Sequence, residues 1–275
     1  MNIKRYPSVL TIAGSDSGGG AGIQADIKTI SALGAYGSSV ITALTAQNTL
    51  GVRAIHAVPP VFIKDQLDAV FEDIIIDAVK IGMINRTEVA LVIADALDRF
   101  KPEFVVFDPV MVSTSGAKLI EDEAIAVLWK QLFPKADLVT PNLEEAEILV
   151  GRKISSVDEM KTAAEDMVRK GCRAVLLKGG HLAGPVIFDV LATKHEETLI
   201  METKHIESLN VHGTGCTLSA AIATFMARGN SLVQSINFAK NYVSGAIEAG
   251  RFFKTGNGSG PLNHAFLPTK MKTKS

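Results

Sequence analysis

The chain has 275 residues, with 28 Lys and Arg against 29 Asp and Glu, a net charge of -1, two cysteines and 47% hydrophobic residues. That length suits a single domain with a sizeable core, and the balanced charge argues against nucleic-acid binding by broad phosphate neutralisation. Two cysteines make no disulfide framework and no Cys/His cluster suggests zinc, while the longest near-apolar stretch, 218–227 with Ser219 and Thr224 inside it, falls short of the roughly 18 residues of a membrane span. The expectation is a soluble cytoplasmic protein with no nucleic-acid or membrane partner.

Taken in chain order, short β-branched runs alternate with segments of helical period, the pattern of an α/β fold. Val9-Leu10-Thr11-Ile12-Ala13 predicts a strand that passes through a glycine-rich turn into a helix carrying Ile23, Ile27, Ile30 and Leu33 at ~3.6-residue spacing. Strand 39–44 follows, then a helix opened by Pro59-Pro60, strand 78–81, a helix bearing Val89, Val92, Ile93, Ala96 and Leu97, and strand 104–107. A helix over 125–132, strand 138–140, a helix over 156–170 and strand 174–177 continue the alternation. Right-handed crossovers make these strands parallel. Between 186 and 206 two short strands with Thr193-Lys194-His195-Glu196 as a hairpin turn predict an antiparallel edge. Helices 217–228 and 232–248 and a glycine-rich basic tail from Lys254 complete the chain, which shows no repeat or interdomain linker.

Ligands of open α/β sheets lie at the carboxyl ends of the strands. Those ends carry Gly14-Ser15-Asp16-Ser17-Gly18-Gly19-Gly20-Ala21-Gly22, Thr45-Ala46-Gln47-Asn48, Gly82-Met83, Asp108-Pro109-Val110-Met111, Thr140-Pro141-Asn142 and Lys178-Gly179-Gly180-His181. The first glycine loop lacks the Lys-Ser/Thr pair of a Walker A sequence. Although Gly20-x-Gly22-x-x-Ala25 matches a loose dinucleotide pattern, Ala46-Gln47 stands where the ribose-binding acid belongs. Its glycines allow close backbone approach to a small ligand, or simply a tight strand-to-helix turn. A second loop, His212-Gly213-Thr214-Gly215-Cys216, enters an apolar helix. Its N–H groups suit an anion, and Cys216 would have a lowered pKa if exposed or be a small buried residue at a helix start.

The run from Ala13 to Thr29, with Thr42-Ala43-Leu44-Thr45-Ala46-Gln47-Asn48-Thr49, Lys80-Ile81-Gly82-Met83 and His212-Gly213-Thr214-Gly215-Cys216-Thr217, resembles the hydroxymethylpyrimidine/phosphomethylpyrimidine kinases of thiamine biosynthesis. The likeness extends in colinear order from about 9 to 266. It implies a three-layer ribokinase-like fold: one domain with a mostly parallel central sheet, helices on both faces and an antiparallel edge. Family members carry Pro where Ser17 stands and often Ser at Gly18, a conservative departure for a turn.

The resemblance implies two successive ATP-dependent phosphoryl transfers, first to the hydroxymethyl group of 4-amino-5-hydroxymethyl-2-methylpyrimidine and then to its monophosphate. Gln47 presents an amide donor and acceptor side by side, a match to an aminopyrimidine edge. Met83 and Val110 would sandwich the ring, with Gly14 and Ala21 at its edge and Thr45 a further substrate-binding residue. Asp26 resembles the acid that contacts the substrate hydroxyl or ring nitrogen, though alone it reads as a solvated helix acid. Asn142 and Glu145 reproduce an Asn-x-x-Glu pattern, in which Glu145 would hold Mg²⁺ through water, with Asp108 assisting the metal or polarising the nucleophile. Lys178 resembles an ATP-phosphate contact, and a monovalent cation is a further candidate cofactor. In place of the Asp that the superfamily's sugar kinases use as general base stands Cys216, a late proton acceptor beside the N–H groups of Gly213, Thr214 and Gly215. The resemblance also implies a homodimer. Competing readings are a pyridoxal kinase, a Cys216 hydrolase using His212 or His181 as base, and a non-catalytic pyrimidine sensor.

Overall fold

Strands whose side chains are apolar in both directions need cover on both faces, and the alternation along each strand decides which cover each residue meets. The structure, a computed structural model, describes residues 4–84, 86–111, 122–180 and 184–274. Its described strands form one nine-stranded sheet in the order β3-β2-β1-β4-β5-β6-β7-β8-β9. β1 (Ser8–Asp16), β2 (Tyr36–Asn48), β4 (Ala78–Ile81), β5 (Val105–Phe107), β6 (Leu138–Val139) and β7 (Ala174–Leu177) run parallel. β8 (Val186–Thr193) and β9 (Leu199–Lys204) form the expected antiparallel edge. A second antiparallel edge, β3 (Gly51–Ala57) paired to β2, has no counterpart in the sequence reading. Its Arg53, Ala54, Ile55 and His56 are all exposed, so it lacks the apolar alternation that marks a half-buried strand.

Residues 10 and 12 of β1, 79 and 81 of β4 and 175 and 177 of β7 pack in one core with α2 (Pro60–Phe71), α3 (Thr87–Phe100), α4 (Asp122–Val127), α5 (Leu143–Val150) and α6 (Val157–Lys170). Their neighbours Val9, Ala78, Ala174 and Leu176 face a second core with α1 (Gly22–Ala32), α7 (Thr214–Ala227) and α8 (Leu232–Gly250). Period two in the strands thus produces the three layers. α4 continues through a π-helical turn, Leu128–Leu132, into a 3-10 turn at Phe133–Lys135.

α7 starts at Thr214, earlier than the apolar pattern predicts, because its first turn is glycine and small residues rather than core. The basic tail is tied down: Thr269 and Lys272 donate backbone N–H groups to Ala32 and Gly34, and Lys274 joins Arg5 on Asp77 at 2.7 and 2.6 Å. No helix among the described residues is long and apolar enough to cross a membrane.

Candidate active site

Connections leave β1 toward β2 on one side and reach β4 on the other, so the carboxyl ends of β1 and β4 flank a topological switch point where ligands bind. A cavity of about 650 Å³ opens there, and the glycine loop, the end of β2, the end of β7 and the first turn of α7 all reach it.

One end is organised by Asp16. The register of β1 on β2 shifts between Ala13 and Ser15, which re-aims the chain into the loop. There Asp16 accepts the N–H groups of Gly18 at 2.8 Å, Gly20 at 3.1 Å and Ala21 at 2.9 Å, and faces His212 Nε2 at 3.0 Å. Burial pushes the Asp16 carboxyl up, but His212 and those backbone donors outweigh it and hold the group below the usual carboxylate range. Gly22, at φ +56, lies so close to Gly14 that a Cβ would sit 2.3 Å from its carbonyl oxygen, a position that only glycine occupies without strain.

Against this loop stand the predicted ring contacts. A Cβ on Gly14 would sit 2.7 Å from Met83 Cε, so bare backbone and thioether already define one slot. Thr42 donates to the Met83 carbonyl at 3.0 Å, fixing that residue in place. Thr45 donates to the Ser15 carbonyl at 2.9 Å and lies 3.2 Å from Gln47 Oε1, while Gln47 Nε2 is 3.3 Å from His212 Nε2. Gly14, Ala21, Thr45, Gln47, Met83 and Val110 all line the cavity.

The other end gathers charge. Asp108, 1% exposed, receives Lys178 Nζ at 2.8 Å, Thr140 Oγ1 at 3.1 Å and Ser219 Oγ at 3.3 Å. Burial opposes its ionisation, yet Lys178 and Lys80 hold it below the usual range. Asn142 and Glu145 form a reciprocal capping box on α5: Glu145 N donates to Asn142 Oδ1 at 2.9 Å and Asn142 N to Glu145 Oε2 at 2.8 Å. The Asn-x-x-Glu pattern is therefore also a helix cap, and both residues line the cavity. Glu145 is only 2% exposed, not the solvated acid that an acidic first turn suggests, and burial raises its carboxyl to about 7 despite the nearby Lys178.

Three sequence expectations need correction. Asp26 is 0% exposed and is neither solvated nor part of the cavity lining. It lies under the floor, pairing with Lys80 Nζ at 2.8 Å and accepting from Thr11 Oγ1 at 2.6 Å, because α1 turns that face onto the sheet. Cys216 lines the cavity, but burial pushes its thiol up to about 11, with Lys80 opposing and Asp26 and Asp108 reinforcing the rise. The helix end does not offset this. Thr214 directs both N–H and Oγ1 to the Val211 carbonyl, at 3.2 and 2.7 Å, so its donors are engaged. The amides of Gly215 and Cys216, in the first turn of α7, have no intrahelical acceptor and stay available. His181 and the segment 112–118 lie outside the described residues.

Two cationic groups were not singled out by sequence. Lys80 is fully buried between Asp26 and the cavity, and Asp26 holds its ammonium above the ordinary value against burial. Lys240 on α8 meets Asp189 of β8 at 2.5 Å on the cavity wall. Their one signal was a lysine inside an apolar strand or helix stripe. Among the described residues no three His, Cys, Asp or Glu side chains gather as a metal site. Two carboxylates, Asp108 and Glu145, do share the charged end of the cavity, a donor set that would suit magnesium, which keeps water among its other ligands.

The chain matches the family described as phosphomethylpyrimidine kinase over residues 16–263. It is 51% identical to the hydroxymethylpyrimidine/phosphomethylpyrimidine kinase of Rhizobium meliloti, over 93% of this chain and 96% of that one. It is 53% identical to a thiamine biosynthesis bifunctional protein of Geobacter sulfurreducens over 94% of its length, and spans about half of that longer protein, 52%. Among solved structures, a phosphomethylpyrimidine kinase from Clostridium difficile 630 is 47% identical with a TM-score of 0.77, covering 87% of this chain and 99% of its own. A Bacillus subtilis pyridoxal kinase solved as an ADP complex is 34% identical with a TM-score of 0.88, covering 95% and 98%. Overall shape is thus shared with pyridoxal kinases, whereas sequence identity is higher to the pyrimidine kinases. With its mostly parallel sheet, antiparallel edge and charged cavity at the strand ends, this chain is a ribokinase-like kinase of the phosphomethylpyrimidine kinase family.

Proposed function

We propose that the chain transfers the γ-phosphoryl group of ATP to the hydroxymethyl oxygen of 4-amino-5-hydroxymethyl-2-methylpyrimidine, and then a second phosphoryl group to the resulting monophosphate, for thiamine biosynthesis. The observation that carries this reading is that a ring slot and an anion site share one cavity: Gly14, Gln47 and Met83 at one end, Lys178, Asp108 and the first turn of α7 at the other.

Gln47 reads the amine and adjacent ring nitrogen, with Met83 and Val110 on the ring faces and Ala21 at its edge. Lys178 and Asn142 Nδ2 contact the phosphates of ATP, and the amides of Gly215 and Cys216, with Gly213 at the N-cap, stabilise the transferring phosphoryl group. The hydroxymethyl oxygen bonds to the γ-phosphorus as the bond to the β–γ bridging oxygen breaks and ADP leaves. A loose transition state defers the proton. Burial pushes the Cys216 thiol up to about 11 and so favours its protonated form; in this reading Asp108, held ionised beside Lys178, takes the hydroxyl proton, and Cys216 is a neighbour of the reacting groups. Glu145 and Asp108 would hold Mg²⁺, which when bound neutralises phosphoryl oxygens; a monovalent cation remains a candidate cofactor.

The unpaired Cys172 and Cys216 support a reducing, cytoplasmic setting, and one sheet through all described strands supports a single kinase domain. Exposed Ile55 on β3 and Val61 and Phe62 on α2 support a homodimer. The test is an ATP-coupled assay with the hydroxymethylpyrimidine, following mono- and diphosphate by mass, beside a parallel assay with pyridoxal. ADP and both phosphates are expected; a higher kcat/KM for pyridoxal overturns the substrate, and no ATP turnover overturns the reaction.

A further inference from the structure

His212 has no part in the phosphoryl transfer as described, yet it is 12% exposed, lines the cavity and touches both of its glycine loops. A Cβ on Gly20 would sit 2.4 Å from His212 Cδ2, so only glycine there lets the imidazole lie against the loop. The donors and acceptors around its Nε2 decide more than its own position.

Asp16 already accepts three backbone N–H groups, an environment that keeps it ionised and therefore an acceptor only. Its Oδ2 lies 3.0 Å from His212 Nε2, so that nitrogen carries the hydrogen. Gln47 Nε2, also a donor, lies 3.3 Å from the same atom, leaving two donors face to face. At the far side of the amide, Thr45 Oγ1 uses its hydrogen on the Ser15 carbonyl at 2.9 Å and turns lone pairs toward Gln47 Oε1 at 3.2 Å, leaving two acceptors face to face. A half-turn of the Gln47 amide relieves both conflicts, since its oxygen and nitrogen occupy equivalent places. Oε1 then faces the Nε2–H, whose single hydrogen it shares with Asp16 Oδ2 in a bifurcated bond, and Nε2 donates to Thr45.

We infer that His212 is a specificity-determining positioning residue: anchored by Asp16, it fixes the Gln47 amide with oxygen toward His212 and nitrogen toward Thr45. The inference rests on Gln47 as the ring contact. In this orientation one lone pair of Oε1 and one hydrogen of Nε2 remain for the ligand, which matches an exocyclic amine beside a ring nitrogen acceptor. Pyridoxal carries a formyl oxygen next to its hydroxymethyl group where the pyrimidine carries the amine, so the fixed Oε1 would meet an acceptor. Selection against the pyridine ring comes from an amide that is unable to turn.

Steady-state kinetics of wild type, His212→Leu and His212→Gln, each with and without Gln47→Ala, test this with both ring compounds. His212→Leu is expected to raise KM for the aminopyrimidine about tenfold, the worth of one hydrogen bond, with KM for ATP unchanged and the preference over pyridoxal narrowed by a similar factor. His212→Gln, which keeps a donor at the Nε2 position, restores most of the preference. In the Gln47→Ala background the leucine substitution has no further effect on that preference. Equal losses for both ring compounds, a loss undiminished in the Gln47→Ala background, or failure of the glutamine rescue overturns the inference. ¹⁵N shifts of His212 in the ligand-free protein give a readout independent of activity: an Nε2–H tautomer is expected, and a bare Nε2 overturns the assignment. Wild-type protein that phosphorylates neither ring compound would instead overturn the proposed function while leaving the tautomer result standing.

Discussion

The two ends of the cavity are built on opposite principles. At the glycine-loop end one carboxylate, Asp16, is occupied by backbone N–H groups and His212, and what remains exposed to the cavity is bare backbone, an amide and a thioether. At the charged end Asp108, Glu145 and Lys80 are buried and Lys178 is largely so, with Asp108 interacting with each of the other three. A flat neutral ring is recognised by shape and by which edge donates, whereas a transferring phosphoryl group is recognised by preorganised charge in a site that excludes water. This explains how a chain with a net charge of -1 can hold a strongly anionic ligand: the compensation is local.

The largest predicted effect lies at the charged end. Asp108→Asn should lower kcat by about 10²–10⁴-fold, the usual contribution of a positioned proton acceptor, with KM for the pyrimidine nearly unchanged; a matching loss in KM would merge the two ends. Gln47→Ala should act in the opposite sense, raising KM for the pyrimidine roughly 10–100-fold for one or two lost hydrogen bonds while KM for ATP holds. Both are read from the same two-substrate kinetics. Cys216→Ala sharpens the division within the charged end. Turnover should fall by less than about tenfold, well below a catalytic acid–base loss, with ATP affinity near normal; a collapse as deep as that of Asp108→Asn would return the sulfur to the role of base.

The smallest effect concerns stability. Burial lifts Glu145 to about 7 from the ordinary 4.5, so the folded state binds its proton more tightly than the unfolded one. Its stabilising contribution is complete below the ordinary value and is lost as pH rises through about 7. Metal-free Glu145→Gln protein, which keeps the capping acceptor without the charge, should therefore gain Tm relative to wild type as pH climbs from 5 to 8. Parallel Tm profiles would show that Glu145 does not carry this cost.

Much of the fold was legible because continuous apolar runs such as Val105-Val106-Phe107 mark strands covered on both faces, and period-3.6 stripes such as Val89, Ile93 and Ala96 mark the buried side of a helix. β3 was not, since its exposed Arg53, Ala54, Ile55 and His56 carry no burial signal and the strand exists through its pairing with β2. In the site, Gly14, Gln47, Met83, Lys178 and Cys216 were placed at strand or helix ends by the order of elements alone. Asp26 and Lys80 were harder to read, because a carboxylate on a helix and a lysine in a strand each look anomalous until the sheet brings them to 2.8 Å.

By itself the sequence determined the alternation of strands and helices, the parallel direction of the central strands and the two glycine loops, since these follow from short-range periodicity and from residues with special backbone freedom. Only the tertiary structure decided which ionisable groups are buried together and which partners the Gln47 amide meets. Whether Cys216 is thiol or thiolate, whether Glu145 is solvated or buried, and which way Gln47 presents its amide all depend on groups distant along the chain. Asp16 and His212, 196 residues apart, meet only when β1 and the start of α7 close on one cavity, and neither position carries a local signal of the other.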